Sequence, residues 1–163
     1  YPTEAVWGLG CDPDDEAAVR RIYTLKQRPL GKGLILIADD FARLQPYLAP
    51  LSAEMTDKVM AQWPGPITWI LPRSADCPHS LAGGHQGLAV RVTDHAGTAA
   101  LCRAFGKALV STSANLSGRP ACHSENQVRR VFGDQLDAIV SGPTGGRRRP
   151  STIMDGLTGA VLR

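Results

Sequence analysis

Residues 109–120 read LVSTSANLSGRP, in which two apolar residues are followed by a run of small hydrogen-bonding side chains. This change predicts a strand over residues 108–111 and a polar loop directly after it. Ser113 and Asn115 are two residues apart, so in extended backbone they point the same way. They suit a phosphate oxygen, a ribose or a carboxylate, although a turn bonded to its own backbone is the alternative. Because ligands of α/β sheets favour the carboxyl ends of strands, we favour a binding site.

Predicted helices and strands alternate along most of the chain. Acidic residues and Pro13 open a helix at residues 12–15, and Arg28, which precedes Pro29, should end it near Gln27. Val19, Ile22 and Leu25 should form its buried face. Strands are predicted over residues 33–38, 67–71, 88–92, 138–140, 151–154 and 160–162, and helices over residues 39–48, 52–63, 94–105 and 124–132, with Asp94 as a cap. This alternation predicts an α/β fold with a largely mixed sheet.

The composition is that of an intracellular domain. The 163 residues are 43% hydrophobic and 20% charged, which predicts one domain over residues 1–163 with a sizeable core. No membrane-spanning run or signal peptide is visible, so we expect a cytoplasmic protein without membrane contact. The sequence opens as if already inside an element, so we expect a further short segment, such as a strand, before Tyr1. Cys11, Cys77, Cys102 and Cys122 lack zinc-site spacing, which favours reduced thiols.

Two basic clusters stand out against a net charge of only +3. Arg20, Arg21, Lys26, Arg28 and Lys32 form the first, and Arg147–Arg149 form the second. They indicate a polyanionic partner or two solvated faces. Lys26 and Arg28 flank one residue, so both could face one site beyond the helix and neutralise a polyphosphate. Cations favoured by the helix dipole are the alternative.

Familiar catalytic patterns are missing. The sequence has no G-x-S-x-G, H-E-x-x-H or G-x-G-x-x-G motif, and GPTGGRRRP at residues 142–150 lacks the Lys-Ser/Thr ending of a P-loop. The histidines are dispersed, which favours surface or capping roles over metal ligation. They are His79, His85, His95 and His123.

The motifs together resemble the YrdC/TsaC family of threonylcarbamoyl-AMP synthases, nearly from end to end. The matching stretches are YPTEAVWGLGCDP at 1–13, LKQRP at 25–29, KGLILIA at 32–38, WPGPITWILP at 63–72, LAVRVTDH at 88–95, LVSTSANLSGRP at 109–120 and RPSTI at 149–153. The match is closest to the short bacterial single-domain form. It implies a twisted open mixed sheet flanked by helices, with a concave basic cleft.

The resemblance also implies a reaction and its partners. L-threonine and bicarbonate or CO2 would form a carbamate, which attacks the α-phosphate of ATP and gives L-threonylcarbamoyladenylate and pyrophosphate. ATP would be a substrate that arrives with Mg2+, and no organic prosthetic group or dedicated metal site is implied. Glu4 is the nearest acidic candidate for the metal. Partner proteins would transfer the threonylcarbamoyl group to the tRNA adenosine beside the anticodon.

Site residues follow from the family motifs. Lys26 and Arg28 match the catalytic pair that binds the triphosphate. The expected threonine contacts are Thr3, Arg91, Ser113 and Ser151, and the further ATP contacts are Asn115 and Arg163. Lys32 and His123 stay outside the expected site, because LGKGLIL and ACHS depart from the pattern of the longer family members.

Two other functions compete with this hypothesis. A non-catalytic module that binds tRNA or double-stranded RNA would account for the basic clusters, although the aromatic content of 6% and the lack of an RNP-like pattern speak against it. A carbamoyl-adenylate domain of the hydrogenase maturation type is the second alternative. Such domains lie in much longer chains with zinc-finger cysteines, and neither feature is seen here.

Overall fold

A computed structural model of the chain describes residues 1–162, in which helices flank an open sheet of six strands. The strands are β1 (Gly8–Leu9), β2 (Ile35–Ala38), β3 (Ile67–Pro72), β4 (Gly87–Val92), β5 (Leu109–Ser113) and β6 (Thr152–Asp155). The α-helices are α1 (Glu16–Lys26), α2 (Ala53–Met60), α3 (His79–Ala82), α4 (Ala96–Phe105) and α5 (Glu125–Phe132). The predicted α/β class is confirmed.

The sheet is mixed, as expected. Its strand order is β1-β5-β2-β4-β3-β6. The pairs β2–β4 and β3–β6 are parallel, and the other three pairs are antiparallel. At its centre, Leu36 of β2 lies opposite Val90 of β4 and Val110 of β5, and all three side chains are fully buried. The core therefore includes the middle of the sheet.

Helix α1 ends where the sequence predicted. The Asp15 carboxylate caps its start by accepting the N–H groups of Ala17 and Ala18. Gln27 ends it in the left-handed conformation at φ 50°, and its N–H bonds the carbonyls of Thr24 and Tyr23. The next residues can then leave the helix axis and turn into a 3-10 helix over Leu30–Lys32.

Three local predictions were wrong. Residues 39–48 form two short 3-10 helices, Phe41–Arg43 and Gln45–Tyr47, instead of an α-helix, since Pro46 cannot continue the α-helical hydrogen-bond pattern. Residues 138–140 pair with no strand in the described chain, although Ile139 packs against the core. Residues 160–162 do not form the predicted strand, and among these described residues only Val161 forms an isolated bridge, with Met154.

The cap of α4 is His95 and not Asp94. His95 Nδ1 accepts the N–H of Thr98 at 3.1 Å. The carboxylate of Asp94 instead accepts a hydrogen bond from Arg147 at 2.7 Å. The Asp94 carboxylate therefore pairs with Arg147, a residue far along the chain, and does not cap α4 as the local sequence predicted.

The four cysteines carry free thiols, and all but Cys11 are buried. Burial raises the pKa of the Cys11 and Cys102 thiols to about 12, with neighbouring carboxylates adding to the effect. Among residues 1–162, no helix has both the length and the apolar character needed to cross a membrane.

The central strand should dominate stability. We expect Leu36→Ala to lower the free energy of unfolding by about 2–5 kcal/mol, because it leaves a cavity in a fully buried position. Leu30→Ala is the matched control, since that side chain is 50% exposed, and should cost less than about 1 kcal/mol. Urea unfolding would measure both. Equal losses would contradict this assignment of the core.

Candidate active site

A cavity of about 790 Å³ collects most of the predicted site residues. Those that line it are Thr3, Arg28, Arg91, Ser113 and Ser151. Five cationic side chains lie on its wall: Arg28, Lys32, Arg91, Arg147 and Arg149. Glu4 and Asp155 are its acidic residues. The concave surface is therefore basic, as expected, and its charge suits an anionic ligand.

The N-terminal turn, residues 3–6, forms one wall. Thr3 Oγ1 donates a hydrogen bond to the carbonyl of Val6 at 2.7 Å, and the Thr3 N–H bonds the same oxygen at 3.0 Å. The Gly145 N–H bonds the Thr3 carbonyl at 3.0 Å. A Cβ at Gly145 would lie only 3.0 Å from Glu4 Cα, so glycine allows the two segments to approach. The threonine hydroxyl is thus held in place at the cavity wall.

Arg91 is anchored by a buried ion pair. Its Nη2 atom lies 3.2 Å from Glu4 Oε2, and Glu4 Oε1 accepts a hydrogen bond from the Thr93 hydroxyl at 2.6 Å. The Arg91 and Glu4 side chains are 8% and 7% exposed. Arg91 Nε is buried and has no hydrogen-bond partner within residues 1–162. Because Arg91 lines the cavity, the charge of its guanidinium suits an anion such as a carboxylate there.

Arg28 lies on the cavity wall beyond the end of α1. Its Nε and Nη2 atoms donate to the Gly33 carbonyl at 3.2 and 2.9 Å, and Nη2 also donates to the Lys32 carbonyl at 3.1 Å. These bonds fix the plane of the guanidinium. Nη1 makes no hydrogen bond within the described chain, so it can serve a ligand.

Lys26 has a different environment from Arg28, although the sequence predicted one shared role. Its ammonium group donates to the Ser113 carbonyl, and to the Asn115 carbonyl and Asn115 Oδ1 at 2.9 Å each. The residue is 2% exposed and does not line the cavity. Burial, and secondly the nearby charge of Arg28, lowers the pKa of Lys26 to about 8. Its contact with phosphate remains a prediction.

The loop after β5 is organised by its own side chains. Ser113 Oγ donates to Asn115 Oδ1 at 2.7 Å, and Asn115 Nδ2 donates to the Arg119 carbonyl at 2.6 Å. Asn115 does not line the cavity, whereas Ser113 does. Ser151 also lines the cavity. Its Oγ accepts a hydrogen bond from the Thr68 hydroxyl at 2.9 Å, and both residues are buried.

Sequence reasoning placed some residues differently from the structure. Lys32, which we left outside the expected site, lines the cavity, whereas His123 does not. Both carboxylate oxygens of Glu4 are engaged by Arg91 and Thr93. Within the described residues, no group of three or more His, Cys, Asp or Glu could hold a metal ion. Arg163 lies outside the described residues.

Comparison with known proteins agrees with this arrangement of motifs. The Sua5, YciO and YrdC family model, described as "Telomere recombination", matches residues 1–163. The chain belongs to this family. A threonylcarbamoyl-AMP synthase of Halorhodospira halophila is 56% identical over 163 residues, which cover all of this chain and 85% of that protein. One of Nitrosococcus oceani is 55% identical over 163 residues, covering all of this chain and 88% of the relative.

Solved structures share the fold. P. abyssi Sua5 complexed with L-threonine superposes with a TM-score of 0.88 and 33% identity over 94% of this chain. The match covers 45% of that protein, so the chain spans about half its length. Full-length HypF in its phosphate- and nucleotide-bound form has a TM-score of 0.77 at 17% identity, covering 94% of this chain and 24% of HypF. The HypF likeness establishes a common fold only.

The buried ion pair should matter for stability. We expect Glu4→Gln to lower the free energy of unfolding by about 3 kcal/mol, because it leaves the charge of Arg91 buried without compensation. Glu16→Gln removes the same group from an exposed pair with Arg20 and should cost less than about 1 kcal/mol. Chemical denaturation of both variants would test this. A Glu4→Gln variant as stable as Glu16→Gln would show that the pair does not anchor Arg91.

Proposed function

We propose that this chain is an L-threonylcarbamoyladenylate synthase and that residues 1–163 form its single catalytic domain. The guanidinium of Arg91 carries the proposal, because its ion pair with Glu4 fixes a positive charge at the wall of a basic cavity, where a small carboxylate can bind. The close relatives named as threonylcarbamoyl-AMP synthases support the same activity. The substrates would be L-threonine, bicarbonate or CO2, and ATP.

In this proposal, Arg91 binds the threonine carboxylate. The hydroxyls of Thr3, Ser113 and Ser151 lie on the same cavity and would contact the remaining polar groups of threonine or its carbamate. The fixed ion pair to Glu4 and the rigid turn at Thr3 mean that these groups need little rearrangement when the substrate binds. Such preorganisation is what alignment of two reactants requires.

The chemical steps need no covalent help from the protein. The threonine amine would add to bicarbonate and lose water, which gives the carbamate. A carbamate oxygen would then form a bond to the α-phosphorus of ATP while the bond to the bridging oxygen breaks and pyrophosphate leaves. Arg28, with its unpartnered Nη1, would stabilise the negative charge that develops on the leaving group.

Mg2+ would accompany ATP on its phosphate oxygens. The Glu4 carboxylate is occupied by Arg91 and Thr93, so it is not a good ligand for that metal. We propose that the enzyme acts in the cytoplasm and that separate proteins transfer the product to tRNA.

The basic residues between Arg20 and Lys32, which suggested an RNA-binding module, lie in different environments. Arg20 pairs with Glu16 at 2.8 Å and Arg21 pairs with Asp137 at 3.0 Å, so both are partly neutralised on the surface. Lys26 is buried, and only Arg28 and Lys32 of this cluster reach the cavity. The relatives named for catalysis also favour the synthase over the RNA-binding alternative.

The direct test is product formation. The chain would be mixed with ATP, Mg2+, bicarbonate and L-threonine, and threonylcarbamoyl-AMP would be detected by mass spectrometry. Omission of each component in turn is the control. Product should require threonine, bicarbonate and ATP together. A folded protein that binds RNA but forms no product under these conditions would favour the binding module.

Arg28→Ala should reduce kcat/KM for ATP by about a hundredfold or more, since it removes a charged donor from the leaving group. Arg148→Ala is the matched control, because this exposed arginine is not among the cavity-lining residues. It should leave kcat/KM within about twofold. Steady-state kinetics with ATP as the varied substrate would separate the two. A similar, small loss in both variants would refute the role of Arg28.

A further inference from the structure

Lys26 lies on the buried face of α1. Val19, Ile22, Tyr23 and Lys26 are the buried residues of this helix, and their spacing of three, one and three places them on one side. A lysine on such a face must find hydrogen-bond partners for its ammonium group, because a buried charge without partners is strongly unfavourable. The hydrogen-bond partners of the Lys26 ammonium group therefore indicate its role.

The ammonium group has no donor left for a ligand. It carries three protons, and three oxygens accept them: the Ser113 carbonyl, the Asn115 carbonyl and Asn115 Oδ1. All three acceptors belong to the S-x-N loop, which we define as residues 113–117. Lys26 is 2% exposed and does not line the cavity. It would therefore have to break these hydrogen bonds to reach a phosphate.

The backbone of Lys26 binds the same loop. Its carbonyl accepts the N–H of Ser117 at 2.8 Å. The loop is thus held at both of its ends by one residue, through the side chain at Ser113 and Asn115 and through the main chain at Ser117. Of the loop residues held in this way, Ser113 lines the cavity.

We propose that Lys26 is a positioning residue: it clamps the S-x-N loop against the end of α1, and Arg28 alone of this pair contacts the phosphates. The two cations of the K-x-R motif then have different roles. One cation shapes the wall that receives the nucleotide and the carbamate, and the other meets the polyphosphate. This inference rests on the proposed function only in taking ATP as the ligand.

Ligands with and without phosphates distinguish the two roles. We would titrate Lys26→Met and Arg28→Ala with adenosine and with ATP. A clamp predicts that Lys26→Met weakens both ligands by a similar factor, at least about tenfold, because the loop is misplaced for either. Arg28→Ala should weaken ATP at least about tenfold more than adenosine, since only ATP offers the charged partner. A Lys26→Met variant with the ATP-selective pattern would overturn the inference.

Hydrogen exchange tests the clamp without any ligand. In Lys26→Met, the Ser117 amide should exchange at least about tenfold faster than in the wild type, while the Leu36 amide in β2 keeps its protection. Unchanged exchange at Ser117 would show that the loop does not depend on Lys26. This measurement also separates two failures. If the wild type binds neither adenosine nor ATP, the proposed function fails, and the exchange rates still decide whether Lys26 is a clamp.

The wild-type protein provides a further measurement in case Lys26→Met does not fold. With 13C-labelled lysine, NMR gives the pKa of Lys26 with and without inorganic pyrophosphate. A clamp that does not touch the anion should show only a small rise, below about half a pH unit, which follows when pyrophosphate compensates the nearby charge of Arg28. A direct contact should raise the pKa by more than about one unit, because the phosphate charge favours the ammonium form. The larger change would overturn the inference.

The pH dependence of adenosine affinity has a definite sign. Below a pH of about 8, Lys26 is charged and supplies three protons to its three acceptors. Above that value it is a neutral amine with two protons, so one acceptor loses its partner and the loop is held less firmly. Adenosine affinity should therefore fall as the pH rises through about 8 in the wild type and stay flat in Lys26→Met. A wild-type profile that is equally flat would count against the clamp.

Discussion

One buried ammonium group connects the parts of the molecule on which the site depends. Lys26 ends a helix whose buried face belongs to the core, and its Nζ atom bonds two carbonyls and an amide oxygen of the loop that follows β5. A charge in this position is tolerated only because all three protons find acceptors. The end of α1 and the end of β5 are therefore fixed relative to each other, and Arg28 and Ser113 take their places at the cavity from these two ends.

A second buried charge fixes the other side of the cavity. Arg91 on β4 pairs with Glu4, and the backbone of the N-terminal turn is bonded in turn by Gly145 and Arg147. The two cations differ in one respect that governs their chemistry. All three ammonium protons of Lys26 are donated to protein oxygens and Lys26 does not line the cavity, whereas Arg91 does. The position of a cation relative to the cavity, and not its charge alone, therefore determines which group can bind a ligand.

These anchors suit a reaction that depends on alignment. The proposed adenylation requires the attacking carbamate, the α-phosphorus and the leaving pyrophosphate to be aligned, and it requires their charge to be neutralised. Fixed arginines and short hydroxyl side chains on the wall of one cavity provide both. The protein fixes these side chains through a buried ion pair and buried hydrogen bonds, so a residue that does not line the cavity, such as Lys26, still influences where the reacting groups lie.

The sequence by itself determined the fold class and the end of α1, because these follow from local periodicity and capping. Its resemblance to the family motifs also pointed to five residues that line the cavity, Thr3, Arg28, Arg91, Ser113 and Ser151. It did not determine that Lys26 is buried away from the cavity while Arg28 lines it, because the two residues are alike in charge and only two positions apart. It also assigned the α4 cap to Asp94, whose carboxylate is taken by Arg147. Both outcomes depend on partners distant in sequence, since only the packed fold decides which buried donors are satisfied and which remain free.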